Sequence, residues 1–503
     1  MKKIIVLAIL LSFQQLFAQS NRPNIILFMV DDMGWQDTSV PFWKEVTPLN
    51  KKYHTPNMQR LADEGMKFTN AYATPVCTPT RVSLLTGMNV ARHRVTLWTS
   101  PVRDNPTDSK DDQFKLVDWN YNGFSNIGGV PHTVHATPFP QLLKEAGYFT
   151  IHVGKAHWGS NGTPGSNPYN LGFMVNISGT GAGHPQSYLG QENYGNKPGK
   201  AGWQAVPDLQ QYYGTDTFLT EALTLEALKT LEEPIKRKQP FFLNLSHYAV
   251  HVPINADKRF FQKYLDAGLD SLEAGYATLI EGMDKSLGDI MDFLKGKKIE
   301  SNTVIIFMSD NGGLSNPKVR SGQPFTQNAP LRAGKGSVYE GGIREPMIVK
   351  WPGVVKKGTV AETPVIIEDF FPAILQIAGL KKYKTIQTVD GRSFVDILKN
   401  GSTKTPERVF LWHSPNKWIP EDGPGINYYS AVRKGDWKLV YSYRTGKAEL
   451  YDLKNDIGEK NDLSGKNPRQ AKIMLDLLAK ELKKNKAQLP VSKATGKTVP
   501  YPN

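Results

Sequence analysis

Six short stretches hold residue types that can do chemistry. The first is Cys77-Thr78-Pro79-Thr80-Arg81, followed by Thr86-Gly87. Cys77 is the only cysteine in 503 residues, so no intramolecular disulfide can form and the thiol stays available. Pro79 fits the first turn of a helix. That places Cys77 at a helix N-terminus, where free N–H groups and the helix dipole favour an anion. The second stretch is Asp31-Asp32, directly after the apolar run Ile25–Val30. The third is Asp310-Asn311-Gly312-Gly313, directly after Val304–Met308. Taken singly, each reads as a helix cap or a turn. At the C-terminal ends of two strands they lie where open α/β sheets bind ligands. Their hard oxygens suit Ca²⁺ or Mg²⁺ and not zinc.

The remaining stretches supply cations and imidazoles. Gly154-Lys155-Ala156-His157 follows an expected strand over 148–153, and Ser246-His247-Tyr248-Ala249-Val250-His251-Val252-Pro253 follows another at 241–245. One histidine near a strand end is an ordinary structural residue; two on separate strands point to a shared site. The last is Leu331–Pro346, in which Lys335 is flanked by Gly334 and Gly336.

Taken in chain order, from Asp31-Asp32 through the cysteine stretch, Gly154–His157, Ser246–Pro253 and Asp310–Gly313 to Leu331–Pro346, the six stretches resemble type I, formylglycine-dependent sulfatases of the alkaline-phosphatase-like superfamily, in particular bacterial polysaccharide and aryl sulfatases. Cys-x-Pro-x-Arg-x4-Thr-Gly matches the signature at which that family's cysteine is oxidised to formylglycine while the chain is still unfolded. Leu331–Pro346 resembles the family's second signature, with Lys335 as its sulfate-binding lysine. The family pattern Gly-Lys-x-His often has tryptophan at x; here Ala156 stands there and Trp158 follows the histidine. His251, two residues before Pro253, matches the family's active-site histidine. The resemblance runs from Asn24 to about Leu463.

The resemblance implies a catalytic set of Cys77, Arg81, Lys155, His157, His251 and Lys335. It implies one calcium ion per chain, held by Asp31, Asp32, Asp310, Asn311 and the modified residue 77. A formylglycine-generating maturation enzyme is the implied partner. In the family's chemistry the hydrated aldehyde attacks sulfur, with the metal and Arg81 at the attacking oxygen. Lys155 and Lys335 hold the sulfate, and His251, helped by Lys335, protonates the leaving alcohol. His157 then takes the proton of the second hydroxyl, so that the aldehyde reforms and sulfate leaves. An unmodified serine or cysteine lacks that second hydroxyl.

Two rival functions share part of this pattern. A phosphomonoesterase or phosphodiesterase of the same superfamily would use serine or threonine, two zinc ions and more histidine ligands; the metal loops here carry no histidine. A non-catalytic binder of sulfated glycan would result if Cys77 stayed a thiol. The expected substrate is a sulfated carbohydrate, from algal or animal-matrix polysaccharide, attacked one residue at a time from a chain end. Candidate sugar contacts are His184, His247, His413 and Trp418. Trp98, Trp119, Trp158, Trp203 and Trp412 are further possible platforms.

The elements that must position these residues follow from hydrophobic pattern. Near-continuous apolar runs at 25–30, 241–245 and 304–308 read as strands covered on both faces. Between them lie helical patterns starting at Thr55-Pro56 and Thr137-Pro138, and others over 215–231 and 272–295. This predicts an α/β fold, a large mostly parallel sheet sandwiched by helices. Beyond about residue 380, strands at 409–412 and 448–451, a hairpin over 430–443 and a helix over 468–485 predict a smaller antiparallel subdomain. The expected boundaries are a signal peptide at 1–18, a catalytic domain at 19–380 and a C-terminal subdomain at 381–503. The long irregular stretches 100–135 and 159–200 are expected to wall in the site.

Lys2 and Lys3, the apolar stretch Ile4–Phe13 and the small residue Ala18 have the layout of a secretory signal cleaved after Ala18. The formal charge of +14 falls to +12 when Lys2 and Lys3 are removed with it. The basic residues are scattered, without an arginine-rich block. The positive balance therefore points to a polyanionic substrate outside the cell and not to nucleic acid. No later run approaches the length of a membrane span, and no cysteine follows the signal to carry a lipid. The expected address is periplasmic or secreted.

Overall fold

The computed structural model describes residues 22–401, 407–419 and 422–503; the expected signal segment lies outside them. Strand β1 (Asn24–Val30) is buried along its whole length. Its side chains alternate between two cores. Ile25, Leu27 and Met29 face one, while Ile26, Phe28 and Val30 face the other. A strand apolar at every position has this explanation: both of its faces are covered.

The other strands of this sheet are β2 (Met66–Tyr72), β3 (Phe149–Gly154), β4 (Val175–Ile177), β5 (Phe241–Ser246) and β6 (Thr303–Ser309), then β7 (Arg344–Lys350), β8 (Thr359–Ala361) and β9 (Val365–Ile366). Their order is β8-β2-β7-β6-β1-β5-β3-β4, with β9 also pairing β2. All pairs are parallel except those of β7, which runs against β2 and β6. Helices α1 (Pro56–Glu64), α2 (Cys77–Thr86), α3 (Phe139–Glu145), α4 (Leu219–Lys236), α5 (Ser271–Gly296) and α6 (Phe370–Ile377) cover the two faces. α2, α3 and α6 pack into the first core, and α1, α4 and α5 into the second.

Two expected caps differ from the reading. Thr55 makes no capping bond to α1; its hydroxyl instead pairs with Thr38 and Ser39 of a neighbouring loop. α3 begins at Phe139 with Pro138 as its cap residue. In both cases the proline at the first turn sets the start without help from the threonine.

The C-terminal part is an antiparallel meander of β10 (Val409–Ser414), β11 (Tyr429–Lys434), β12 (Trp437–Ser442) and β13 (Ala448–Asp452), with helix α7 (Pro468–Lys484) on it. One face, with Trp412, Ala431 and Val440, joins the first core of the large sheet. The other, with Leu411, Val432 and Leu439, packs on Met474, Leu478 and Leu482 of α7. Among the described residues no helix is long and apolar enough to cross a membrane.

Candidate active site

The site stands at the C-terminal ends of four adjacent strands, β6, β1, β5 and β3. Their register puts Val30 beside Ser309, Met29 beside Ser246, and Ser246 beside Gly154. The residues that follow therefore emerge side by side: Asp310 and Asn311, Asp31 and Asp32, the loop to His251, and Lys155 to His157. Gly154 makes the last turn possible. Its φ is +97°, and a Cβ there would lie 2.0 Å from the Ser246 carbonyl oxygen.

Cys77 is the first residue of α2 and is buried. Its Sγ lies 3.4 Å from His157 Nδ1. His157 Nε2 is 2.9 Å from the Thr99 carbonyl, which can only accept. The imidazole thus donates through Nε2 and presents the Nδ1 lone pair to position 77. Burial, with Lys155 nearby, pushes the His157 pKa well below its ordinary value. A neutral imidazole in that tautomer is a proton acceptor.

Arg81, one turn along α2, is enclosed. Its Nε donates to Asp310 Oδ2 (2.9 Å), and its Nη1 to the Lys155 carbonyl (2.9 Å) and to Ser246 Oγ (2.6 Å). Its Nη2, 2.8 Å from Asp310 Oδ2, is buried with no hydrogen-bond partner, and the guanidinium ties three strand ends to the helix that begins at Cys77.

Two lysines meet the paired aspartates. Lys155 Nζ donates to Asp31 Oδ2 at 2.6 Å. Lys335 Nζ donates to Asp32 Oδ2 and to His251 Nε2, each at 2.8 Å. His251 Nδ1 donates to the Val252 carbonyl at 3.0 Å, so Nε2 is the acceptor for Lys335. Burial, opposed by Asp32, lowers the His251 pKa well below normal. Against the upward push of its own burial, His251 and the two lysines hold the Asp32 carboxyl low. Asp31 goes the other way: burial and then Asp310 raise it.

Two buried oxygens here have no hydrogen-bond partner: Asp31 Oδ1 and Asn311 Oδ1. Buried orphans of this kind are rare and call for a ligand. With Asp32 and Asp310 they form an all-oxygen donor set, which fits a divalent cation of the Ca²⁺ or Mg²⁺ kind. The tightest carboxylate–imidazole grouping is instead Asp31, Asp32 and His251, with ligand atoms within 4.8 Å of one another. The oxygen set is the better assignment, because His251 Nε2 already accepts from Lys335.

Over this floor opens a cavity of about 260 Å³. Cys77, His157, His251 and Lys335 lie at its base. His184 and Trp418, two of the candidate sugar contacts, line it together with Trp98. The His184 ring stacks on His251 with centroids 5.5 Å apart. Trp418 reaches in from the C-terminal subdomain and lies on the lysine loop: a Cβ on Gly336, whose φ is +87°, would be 2.1 Å from its ring. Sequence reasoning missed Gln204 and Leu314. Gln204 Oε1 accepts from the Gly183 amide at 3.0 Å and the His184 amide at 3.4 Å, bracing that loop. Nothing in a lone glutamine of a polar stretch signals this.

Two expected sugar contacts are corrected. His247 is buried, bonded to Ser286 of α5 at 2.8 Å and packed on Phe28, so it supports the strand end. His413 is buried inside β10, held by Ser430 Oγ and the Gln488 carbonyl, both at 2.7 Å. Trp119, Trp158 and Trp412 are core residues and offer no sugar platform, while Trp203 lies in the open, 66% exposed and off the cavity.

The sulfatase family model matches residues 23–380, and a model described as N-sulphoglucosamine sulphohydrolase, C-terminal, matches 334–488. A sulfatase from Formosa agariphila is 30% identical over 99% of this chain and 96% of its own length. The N-acetylgalactosamine-6-sulfatase of Mus musculus is 32% identical over 75% of this chain and 66% of its own. Among solved structures, Ps i-CgsB in complex with k-i-k-neocarrahexaose superposes with a TM-score of 0.71 at 28% identity, covering 92% of this chain and 93% of that one.

Proposed function

We propose, from the premise that this chain belongs to the sulfatase family and hydrolyses sulfate esters, that its nucleophile is a formylglycine made from Cys77 and its substrate a sulfated carbohydrate. The observation that carries this reading is that Cys77, a neutral His157 at 3.4 Å and Lys335 line one cavity, with Lys155 and two orphaned oxygens, Asp31 Oδ1 and Asn311 Oδ1, buried in the same cluster of strand ends. The oxidised and hydrated residue 77 supplies an oxygen nucleophile with a second hydroxyl, whose loss of a proton lets the product sulfate leave. A calcium ion held by Asp31, Asp32, Asp310 and Asn311 supplies positive charge beside that nucleophile.

The other roles fall to the chain's own groups. The N-terminus of α2 and the Lys155 and Lys335 ammonium groups draw the sulfate to the cavity floor and offset charge gathering on its oxygens. His157 Nδ1 accepts the proton at position 77. Lys335, hydrogen-bonded to His251 Nε2, holds the proton that the departing alcohol oxygen takes, and His251, accepting at Nε2, orients that ammonium. Arg81 fixes Asp310, Ser246 and the Lys155 loop in register with the nucleophile.

Trp98 and Trp418 flank the cavity as apolar walls, suiting the face of a sugar ring, and His184 offers a polar contact. Walls from several segments favour a terminal residue over an internal one. The carbohydrate assignment draws on the similarity to the neocarrahexaose-bound protein and to N-acetylgalactosamine-6-sulfatase. We assign residues 19–380 as the catalytic unit, 381–503 as a subdomain that closes one wall, and 1–18 as an export signal. A panel of sulfated mono- and oligosaccharides with resolved regiochemistry tests the reading. Release of sulfate from chain ends is expected; release only from internal residues, or none from any sugar, overturns it.

A further inference from the structure

A second groove, of about 460 Å³, shares no lining residue with the catalytic cavity. It runs between the edge of the large sheet and the C-terminal meander. Lys67 of β2 lines one side, Arg433 of β11 and Lys454 the other, and Trp43 with Lys44 stands at its rim.

The lining carries more cations than carboxylates: Lys44, Lys67, Arg344, Arg433 and Lys454 against Glu362 and Asp436. Arg433 is only 4% exposed. Its guanidinium donates to the Gly435 carbonyl at 2.9 Å and to the Tyr72 hydroxyl. Among the described residues no carboxylate lies within ion-pair distance of it. The nearby acid, Glu340, feels the Arg433 charge but is shared with Arg344 at 2.7 Å and Lys438 at 2.8 Å, so three cations draw on one carboxylate. Lys67 is half-buried; its ammonium donates to the Pro41 carbonyl and lies 5.8 Å over the Phe42 ring, with no carboxylate partner among the described residues. Lys454 is exposed without a side-chain partner among the described residues. Lys44 lies 5.9 Å above the Trp43 ring with Glu45 at a loose 3.9 Å. Glu362 and Asp436 are the opposing carboxylates, both at the exposed rim.

A buried guanidinium without an acidic partner is costly and is relieved by an incoming anion, which its planar fork binds well. Cations spaced along a groove with a half-buried tryptophan at the edge match a chain that alternates anionic groups with apolar ring faces. We propose that this groove is a second binding site, for a segment of sulfated glycan remote from the residue being desulfated. The proposal rests on the carbohydrate reading above for the identity of the chain, and on the groove's own charge and shape for its place.

The test measures binding and not turnover, so it stands even if the catalytic reading fails. Full-length Cys77→Ser protein is run in affinity electrophoresis through gels containing carrageenan or chondroitin sulfate. The same background carries either Trp43→Ala with Lys44→Glu, at the rim, or Arg433→Gln, at the floor. Each is expected to weaken retention by at least about tenfold in dissociation constant. In the Cys77 background, the rim variant should hydrolyse a small soluble sulfate ester at the parent rate. Should Arg433→Gln disturb folding, seen as a lower melting temperature, the rim variant decides alone. Unchanged retention by both polymers overturns the proposal. So does equal retention, lost in parallel, on a nucleic acid gel, which would mark a general polyanion surface.

Discussion

Two buried clusters of charge lie at the C-terminal end of the large sheet, and they differ in what they leave unpaired. One lies under the proposed active-site cavity, where Asp31, Asp32 and Asp310 meet Arg81, Lys155 and Lys335. The other joins Asp37, Glu273 and Arg320 with Tyr53 and Tyr276. In the second, Arg320 donates to both oxygens of Glu273 (3.1 and 3.2 Å) and to Tyr53 (2.9 Å), and lies 3.7 Å over the Tyr276 ring. Tyr276 donates to Asp37 at 2.7 Å. None of these side chains has an orphaned atom, whereas the first cluster leaves Asp31 Oδ1, Asn311 Oδ1 and Arg81 Nη2 without a hydrogen-bond partner. Buried charge alone therefore does not mark a site. Unspent hydrogen-bonding atoms, together with a lysine facing a cavity, do.

The sharpest break between the two should come from deleting the nucleophile. Cys77→Ala is expected to lower turnover by on the order of 10⁴-fold or more. Its thermal stability should change by no more than about 1 kcal/mol, measured by denaturant melts. Arg320→Met should do the reverse. Removing one partner of a buried ionic cluster costs about 3–5 kcal/mol, while kcat per folded molecule should stay near that of the wild type. A large loss of kcat in folded Arg320→Met would erase the distinction between the clusters.

Metal binding sharpens it further. Calcium at a hundredfold excess over its Kd should stabilise the protein by about 2.7 kcal/mol, and chelation should reverse this. Asp31→Asn and Asp310→Asn should lose most of that increment, and Arg320→Met should keep it. An equal calcium shift in all four proteins would place the ion elsewhere.

A third class of buried acid acts through pH alone. Glu368 accepts one hydrogen bond from Asn89, its other oxygen is unpartnered, and no cation touches it closely. Burial, partly offset by Arg408, raises its pKa from 4.5 to about 8. A raised carboxyl stabilises the fold while protonated. Its contribution is full below pH 4.5 and is lost as pH rises through about 8. Glu368→Gln keeps the Asn89 contact and should flatten stability against pH over that window, by at most a few kcal/mol at about 1.4 kcal/mol per unit. Parallel pH profiles for both proteins would refute the assignment.

Much of the catalytic cluster was legible in the sequence because it is written locally. Each strand end carries its group within three residues: Asp31 and Asp32 after Val30, Asp310 and Asn311 after Ser309, Lys155 after Gly154. The parallel pattern then brings them together. The Arg320 cluster was not legible. Its members come from positions 37, 53, 273, 276 and 320, and only tertiary packing makes neighbours of them. The same limit explains the histidines. His247 and His251 sit in one short loop, yet only His251 turns into the cavity, because His247 finds Ser286 on α5. His413 looked available as a polar residue at a strand end, but the meander closes over it. Gln204 became visible only through the loop amides it holds.

The central claim is that residue 77 acts as an aldehyde and not as a thiol. It is tested most directly by measuring, across preparations co-expressed with graded amounts of a maturation enzyme, the mass of the peptide containing residue 77 together with the rate of sulfate release. The account predicts a rate proportional to the fraction in which the CH₂SH side chain has become CHO, falling to zero at full thiol. Full turnover from protein whose residue 77 is entirely cysteine would contradict it.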